Sequence, residues 1–550
     1  MKNCNFIKYN KELLFLPLGG SGEIGMNLNL YHMNGRWIIV DFGLAFPDQD
    51  IPGANIVLPN INFILQNIVN KIDGIVITHA HEDHIGALPY LWPQIKAPIY
   101  TTRFTSLIIQ KKIIEYKNFE SLQIIEKKPK QNFKIKDFYI EFIPMYHSIP
   151  EMNALYISTP RGNIFHSGDW RFNYYQKNTN NKNTEYLKTI GQRKILALVG
   201  DSTNIFNHIT AKSEDTLALN IEQIIIKHQE KLILITTFAS NIKRLQSIFY
   251  AALKSKRKIM LLGKALWRIF NIAQESGYLP KIKILSDKSI KSFKKQEILI
   301  VCTGCQGEPL AAMNKIALDK HPTVRISKQD LVIFSSKIIP GNEKKIFHLY
   351  NQLIKKGIKI LHEYNAFVHV SGHPSKTEIE EMYNCIKPNI AIPIHGENFH
   401  LDEHCRIAKK SNVANVVHIN NGAIVLLRHN ATKIVGQVEN GRHALDGKTL
   451  LESTNQIFTQ RKIMMANGII IISILLGKHL SINIEAPGLT NKFLNNSLFK
   501  NLNKTIIAMC QKYVHHSVHK IKNEIQKIVR QTVYMKLNKF PIIKIYLYNR

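Results

Sequence analysis

Residues 76–89 read Val-Ile-Thr-His-Ala-His-Glu-Asp-His-Ile-Gly-Ala-Leu-Pro. The core, His79-x-His81-x-Asp83-His84, sets four potential metal ligands within six residues, directly after the apolar run 72–78. Imidazole nitrogens and a carboxylate are the donor set of Zn²⁺ and its first-row neighbours. A strand that ends in such a cluster can hold it rigidly at the edge of a sheet, open to substrate. The plain competitor is a histidine-rich surface loop. Four ligands at this density, after a strand of buried type, weigh against it and predict a metal site.

Working outward, the run 13–18 is followed by Gly19-Gly20-Ser21-Gly22-Glu23-Ile24-Gly25, an alternating segment at 26–33, Asn34-Gly35 and a second run at 36–41. Gly20-x-Gly22-x-x-Gly25, with Asp41 beyond, formally matches a dinucleotide-binding fingerprint. That fingerprint requires a helix to start at the glycines. Here period-2 alternation leads into an Asn-Gly hairpin turn, so no helix dipole is available to a pyrophosphate. Further strands are expected at 98–101 and at 138–144, the latter ending at His147. A hairpin at 154–158 and 162–165 leads to Asp169, and a strand at 195–199 ends at Asp201. Asp41, His79–His84, His147, Asp169 and Asp201 all follow apolar strands, the pattern of a sheet whose loops converge on one site.

From about 206 to 366 the texture changes. Short strands at 232–236, 258–262, 298–301 and 331–334 alternate with helical stretches such as 242–255, the signature of a parallel α/β unit inserted into the first domain. The β-rich texture returns with His369-Val-Ser-Gly-His373-Pro before a helix, and a strand at 390–394 ends at His395. The polar stretch 431–455 reads as a linker. Residues 456–550 read as a small α+β domain, with a strand at 469–476, an amphipathic helix near 503–530 and a last strand at 542–548.

Composition narrows the class. The 550 residues have room for several domains. Lys and Arg number 73 against 40 Asp and Glu, a formal net charge of +33 that favours polyanionic partners such as nucleic acid. Enrichment in Ile, Lys and Asn, as AT-biased coding would produce, competes as a source of part of that charge. Met1-Lys-Asn-Cys-Asn-Phe lacks a secretory pattern, and the longest apolar run, 469–476, is far short of the ~18 residues a spanning helix needs. Six scattered cysteines (4, 302, 305, 385, 405 and 510) suggest a reducing cytosol. Cys302-x-x-Cys305 has no second pair beside it and reads as structural; Cys4 and Cys510 carry no role. Trp170 reads as packing.

These residues together carry a family resemblance. His79-x-His81-x-Asp83-His84, with His147, Asp169 and His395 at strand ends, resembles the metallo-β-lactamase fold. The inserted segment with Asp201, His373 and His395 resembles its β-CASP subgroup, which acts on nucleic acids. Finer strings resemble the bacterial ribonuclease J family: 22–27 (Gly-Glu-Ile-Gly-Met-Asn), 238–241 (Phe-Ala-Ser-Asn), 303–309 (Thr-Gly-Cys-Gln-Gly-Glu-Pro), 334–343 and 369–374. The match runs from about 13 to 422 and persists weakly to the end. Cys305 stands where the family has Ser or Thr, and 430–540 is divergent.

The resemblance implies an α/β fold, a metallo-β-lactamase αββα sandwich over 1–205 and 367–430. It places a β-CASP insert at 206–366, the linker at 431–455 and the α+β domain at 456–550. It implies two divalent ions, zinc first and manganese or magnesium as alternatives. His79, His81 and His147 would hold one; Asp83, His84 and His395 would hold the other; Asp169 would bridge. Asp41 would orient a ligand histidine. Asp83, His84, Asp201 and His373 would serve catalysis, with a helix cap and a packed histidine as the plain readings of the last two. Ser240, Asn241, His369, Ser371 and Gly372 would cradle an RNA 5′-monophosphate.

The implied activity is hydrolysis of single-stranded RNA, 5′→3′ from monophosphorylated ends and internally, in mRNA decay and rRNA processing. The implied setting is the cytoplasm, without a membrane, as a homodimer or homotetramer. A DNA-processing β-CASP nuclease is the nearest alternative. A small-molecule metallohydrolase leaves the insert unexplained. A catalytically silent RNA-binding subunit should lack ligands, and all seven are present.

Overall fold

The computed structural model describes residues 6–47, 50–114, 116, 119–172, 182–208, 213–476, 480–489, 492–512 and 517–549. Cys4 lies outside them. The described chain divides into two compact units, residues 1–45 with 58–442, and residues 46–57 with 443–550.

Two sheets build the frame of the first unit. One has eight strands in the order Lys433–Gln437, Ala423–Leu426, Leu14–Gly19, Leu28–Met33, Arg36–Val40, Ile72–Val76, Ile99–Thr101 and Ile124–Glu126. The other has seven, in the order Asn415–Val416, Ile390–Ile394, Ile195–Asp201, Gly162–His166, Asn153–Thr159, Phe138–Pro144 and Asn132–Ile135. Period-2 geometry sends alternate side chains to opposite faces. Ala197 and Val199 join Val40, Val76, Phe142 and Ile392 in a core shared by both sheets. Leu198, between them in sequence, packs with Ile379, Tyr383 and Ile407 of the covering helices Lys376–Ile386 and Asn398–Lys410. Buried on both faces, such strands read as unbroken apolar runs. The result is the expected sandwich with helices outside.

The glycine-rich segment leads into the strand Leu28–Met33, as its alternation requires, and not into a helix. Asn34 and Gly35 both have positive φ, 50° and 75°, the geometry of the tight hairpin that joins it to Arg36–Val40. The insert forms a five-stranded sheet in the order Lys258–Leu262, Ile298–Cys302, Ile233–Thr236, Leu331–Phe334 and Lys359–Leu361, every pair parallel. Cys302 and Cys305 are buried here, and burial pushes both thiols up to about 12, which suits packing and not redox work. Trp170 is likewise buried, edge-on to Phe172.

Two expectations need correction. The 431–455 stretch is not an irregular linker. It carries the strands Lys433–Gln437, Arg442–Asp446 and Thr449–Glu452, the last two paired as a hairpin through the Gly447 turn. Only Ala444 among these strand residues is buried, so the strands lack the apolar runs that mark a core strand. In the C-terminal region the expected single helix is two, Lys492–Lys512 and Val518–Leu537, with 513–516 outside the described residues. Ser517 caps the second helix by accepting from the Lys520 N–H. Ile521, Ile525, Val529 and Val533, one turn apart, pack on Ile470, Ile472 and Ile474 of the strand Ile469–Leu476. No described helix is long and apolar enough to cross a membrane.

His404 is fully buried between the Ser202 hydroxyl and the Tyr383 hydroxyl, and burial lowers its pKa to about 4. The unfolded chain therefore binds a proton here, at about pH 6.5, that the folded chain refuses. Stability should fall as pH drops from about 6.5 to 4. Between pH 7 and pH 5 the His404 share should be roughly 2 kcal/mol. Urea midpoints at the two pH values check it: His404→Gln should lose less on acidification than wild type, and an equal loss refutes the assignment.

Candidate metal centre

Strand direction brings the candidate ligands to one edge. Arg36–Val40 and Ile72–Val76 run parallel, as do Gly162–His166, Ile195–Asp201 and Ile390–Ile394. Asp41, His79–His84, Asp169, Asp201 and His395 stand at or just beyond their C-terminal ends. Phe138–Pro144, two antiparallel steps from Gly162–His166, points the same way and delivers His147.

Three imidazole nitrogens meet first. His81 Nδ1 is 3.1 Å from His79 Nε2 and 3.1 Å from His147 Nε2. Ligand atoms on a tetrahedral zinc ion are separated by roughly 3.3 Å, so this spacing suits a shared cation. Asp169 Oδ2 closes the group at 3.7 Å from His79 and 3.8 Å from His147. A second group forms on its other side. His84 Nε2 lies 3.2 Å from Asp169 Oδ2 and 3.6 Å from Asp83 Oδ2, and His395 Nε2 lies 3.2 Å from Asp83 Oδ2. Each set offers four ligand atoms within 4.8 Å of one another, and Asp169 belongs to both. The donor chemistry fits two divalent cations.

Outer contacts aim these rings. Asp41 accepts from the His84 Nδ1–H at 2.8 Å and from the Thr78 backbone N–H at 2.8 Å. His147 Nδ1–H donates to the Gly372 carbonyl at 2.7 Å, leaving Nε2 for a metal. A Cβ on Gly372 would sit 2.8 Å from that ring, so only glycine permits the approach. Thr203 reaches His395 Nδ1 at 2.9 Å. Asp41 and His395 both hold left-handed backbones, φ 63° and 53°, a conformation that costs non-glycine residues about 1 kcal/mol or more and persists where its surroundings over-determine it.

Electrostatics divides the histidines. Burial lowers His79 well below its ordinary range, His81 to about 4 and His147 to about 3, which keeps them neutral and ready to ligate. For His84 and His395 burial pulls the same way, but the surrounding carboxylates together outweigh it and raise both: Asp169, Asp83 and Asp41 at His84, and Asp169, Asp201 and Asp83 at His395. Asp169 itself is held low: burial would raise it, and His395, His84 and His373 together overcome that.

Asp201 and His373 pair beside this centre. His373 Nδ1–H donates to Asp201 Oδ2 at 2.8 Å, and His373 Nε2 lies 3.9 Å from Asp169. Asp201 Oδ1 also accepts the Thr203 N–H, so it orders its own turn while facing His373.

The expected phosphate cradle is placed in two parts. Asn241 Oδ1 caps the helix Ile242–Lys254 by accepting the Arg244 N–H, and the Arg244 guanidinium donates to the Val368 carbonyl next to His369. Ser240 is half-buried just before that cap. His369 Nδ1 is buried without a hydrogen-bond partner, and after burial itself it is Arg244, Lys337 and Arg171 that push this ring well down. Ser371 and Gly372 stand nearer the metal centre: the Ser371 hydroxyl accepts the His373 N–H, and its carbonyl accepts from Arg171. Thr78, Thr203, Arg171, Arg244, Lys337 and the positioning task of Gly372 escaped the sequence reading, because nothing local in the chain marks them as partners.

Comparison with known proteins agrees with this geometry. Three family models match in order: the beta-lactamase superfamily domain over residues 36–181, the Ribonuclease J beta-CASP domain over 230–353, and the Zn-dependent metallo-hydrolase RNA specificity domain over 357–419. Ribonuclease J of Sinorhizobium meliloti is 36% identical over 472 residues, 85% of this chain and 83% of that protein. The chain belongs to the ribonuclease J family. Ribonuclease J of Helicobacter pylori is 32% identical over 96% of this chain and 78% of its own length; that of Mycoplasma genitalium is 30% identical over 95% and 94%. A crystal structure of an Enterococcus faecalis protein of unknown function shares the fold, with TM-score 0.55, 17% identity, and coverage of 76% of this chain and 100% of that one. Ribonuclease J proteins are metal-dependent hydrolases of RNA, and the chain is a ribonuclease of this kind.

Asp41→Ala should weaken metal retention about 10- to 100-fold, the usual cost of losing a carboxylate behind a ligand histidine. Metal content by elemental analysis after graded chelator dialysis checks this. Retention equal to wild type would remove Asp41 from the site.

Proposed function

We propose that this chain cleaves single-stranded RNA at a pair of divalent ions, leaving 5′-phosphate and 3′-hydroxyl ends. The observation that carries the reading is the shared Asp169 between two four-ligand groups, with the Asp201–His373 pair alongside. His79, His81 and His147 would hold one ion and Asp83, His84 and His395 the other. Zinc fits the imidazole-rich set best, with manganese and magnesium as alternatives. When bound, two such ions supply an activated water and neutralise charge at the attacked phosphate.

The chain's own groups supply the rest. For His373, burial lowers the pKa, but Asp201 and Asp169 outweigh it and favour the protonated ring. With Nδ1–H committed to Asp201, the Nε2–H is free to pass a proton to the departing 3′-oxygen, the task of a general acid. Asp201 keeps that ring oriented.

We read the partnerless His369 nitrogen, set among Arg244, Lys337 and Arg171, as one wall of a pocket for a 5′-monophosphate, with Ser240, Asn241, Ser371 and Gly372. Positive charge beside an unpaired ring nitrogen suits phosphate oxygens. Such a pocket supports 5′→3′ exonuclease action from monophosphorylated ends beside internal cleavage. In this reading 1–205 and 367–430 carry the catalysis, and 206–366 covers the substrate. The enzyme works in the cytoplasm on mRNA and rRNA precursors as a homodimer or homotetramer, with 456–550 aiding assembly.

Asp83→Ala or His84→Ala should cut the cleavage rate of a single-stranded RNA by at least about a hundredfold while circular dichroism stays native. Undiminished cleavage by well-purified variant would sink the mechanism, and much faster cleavage of matched DNA would favour the DNA-processing alternative. His369→Ala should narrow, several-fold, the preference for 5′-monophosphate over 5′-triphosphate on an RNA labelled at each end. An unchanged ratio would place the 5′ end elsewhere.

A further inference from the structure

Two phenylalanines stand ring to ring beside the metal centre. Phe206 and Phe399 stack with centroids 5.1 Å apart and planes 12° from parallel, yet they stay 47% and 55% exposed. A stacked aromatic pair left half in water has surface to offer. His400 backs it, its ring 3.9 Å from Phe399 and 5.4 Å from Phe206, and burial lowers its pKa, which favours an uncharged ring.

Their anchorage ties them to the site. Phe206 follows Thr203, the residue that reaches His395 Nδ1, and Phe399 lies in the first turn of the helix that begins after His395-Gly396-Glu397. The Gly396 backbone approaches so closely that a Cβ there would sit 2.9 Å from His400 Cβ and 3.1 Å from Ser202 Cβ. Lys337, exposed, donates to Asn204 Oδ1 at 3.1 Å and lies within electrostatic reach of both His400 and His369. An apolar face, an uncharged ring and an adjacent cation are what a single-stranded nucleotide needs: a surface for its base and a charge for its phosphate.

We propose that Phe206 and Phe399, backed by His400, form a stacking platform that grips one nucleobase of the RNA close to the cleaved bond, with Lys337 on the neighbouring phosphate. The platform rests on the ribonuclease reading above. It is a positioning device: it sets which phosphate stands over the metals, and it tolerates any base, since every base has a flat face.

The test walks a single abasic nucleotide along an otherwise uniform 5′-monophosphorylated RNA, with metal-loaded wild type and the Phe206→Leu/Phe399→Leu double variant. In wild type, one position near the cut should raise KM about tenfold when its base is missing, the scale of losing one base–aromatic stack. In the double variant, KM on intact RNA should already be raised about as much, and removing that base should add nothing. A merely structural role would shift KM by the same factor at every position. If the variant responds to each abasic site as wild type does, the platform is wrong while the ribonuclease stands. If wild type leaves RNA intact, the ribonuclease reading falls and the platform with it.

Discussion

One buried carboxylate organises this molecule. Asp169 has the imidazoles of His79, His84, His147, His373 and His395 all within 4 Å of its oxygens. Removing a carboxylate from water is costly unless charge and hydrogen bonds compensate it. Here compensation is split. His84, His373 and His395 are pushed toward the protonated form, and His79, His81 and His147 toward the neutral one. The neutral set leaves ring nitrogens uncharged, whereas the other carries the protons that offset the carboxylate.

That arrangement is held by two sheets. Each brings the C-terminal ends of its ligand-bearing strands to one edge, and the apolar cluster between them fixes their separation. Asp41 and Asp169 come from different sheets, yet both contact the ring of His84, at 2.8 Å and 3.2 Å. A shift of one sheet against the other would break one of those contacts. Packing thus supplies the precision that the ligand geometry needs.

The parts written locally in the chain were legible. The His79–His84 cluster, the glycine-rich turn without a helix and the strands 138–144 and 469–476 all announce themselves through spacing or apolar period. What escaped depends on distant partners. Gly372 orients His147, 225 residues away, and Thr203 orients His395, 192 residues away; neither has a local signature. Lys359–Leu361 is too short to show a period and exists because Leu331–Phe334 offers it an edge. The strands within 431–455 were hidden by their length of four or five residues in a polar stretch, and the break before Val518 by a serine cap inside a continuous amphipathic pattern.

The same distinction applies to the basic charge. An excess of 33 positive charges could be a byproduct of composition, and most surface lysines need no further purpose. Arg171 and Arg244 are different, because a buried guanidinium must be compensated. Arg244 is fully buried, paired with Glu214 and bonded to the Ser335 and Val368 carbonyls, while Arg171 donates to the Ser371 carbonyl. Both therefore hold the 368–373 segment in place as well as charging it. Lys337 is exposed, with reach to His369 on one side and His400 on the other. The buried pair thus acts on substrate through the segment it positions, while the exposed Lys337 is placed to meet a phosphate directly.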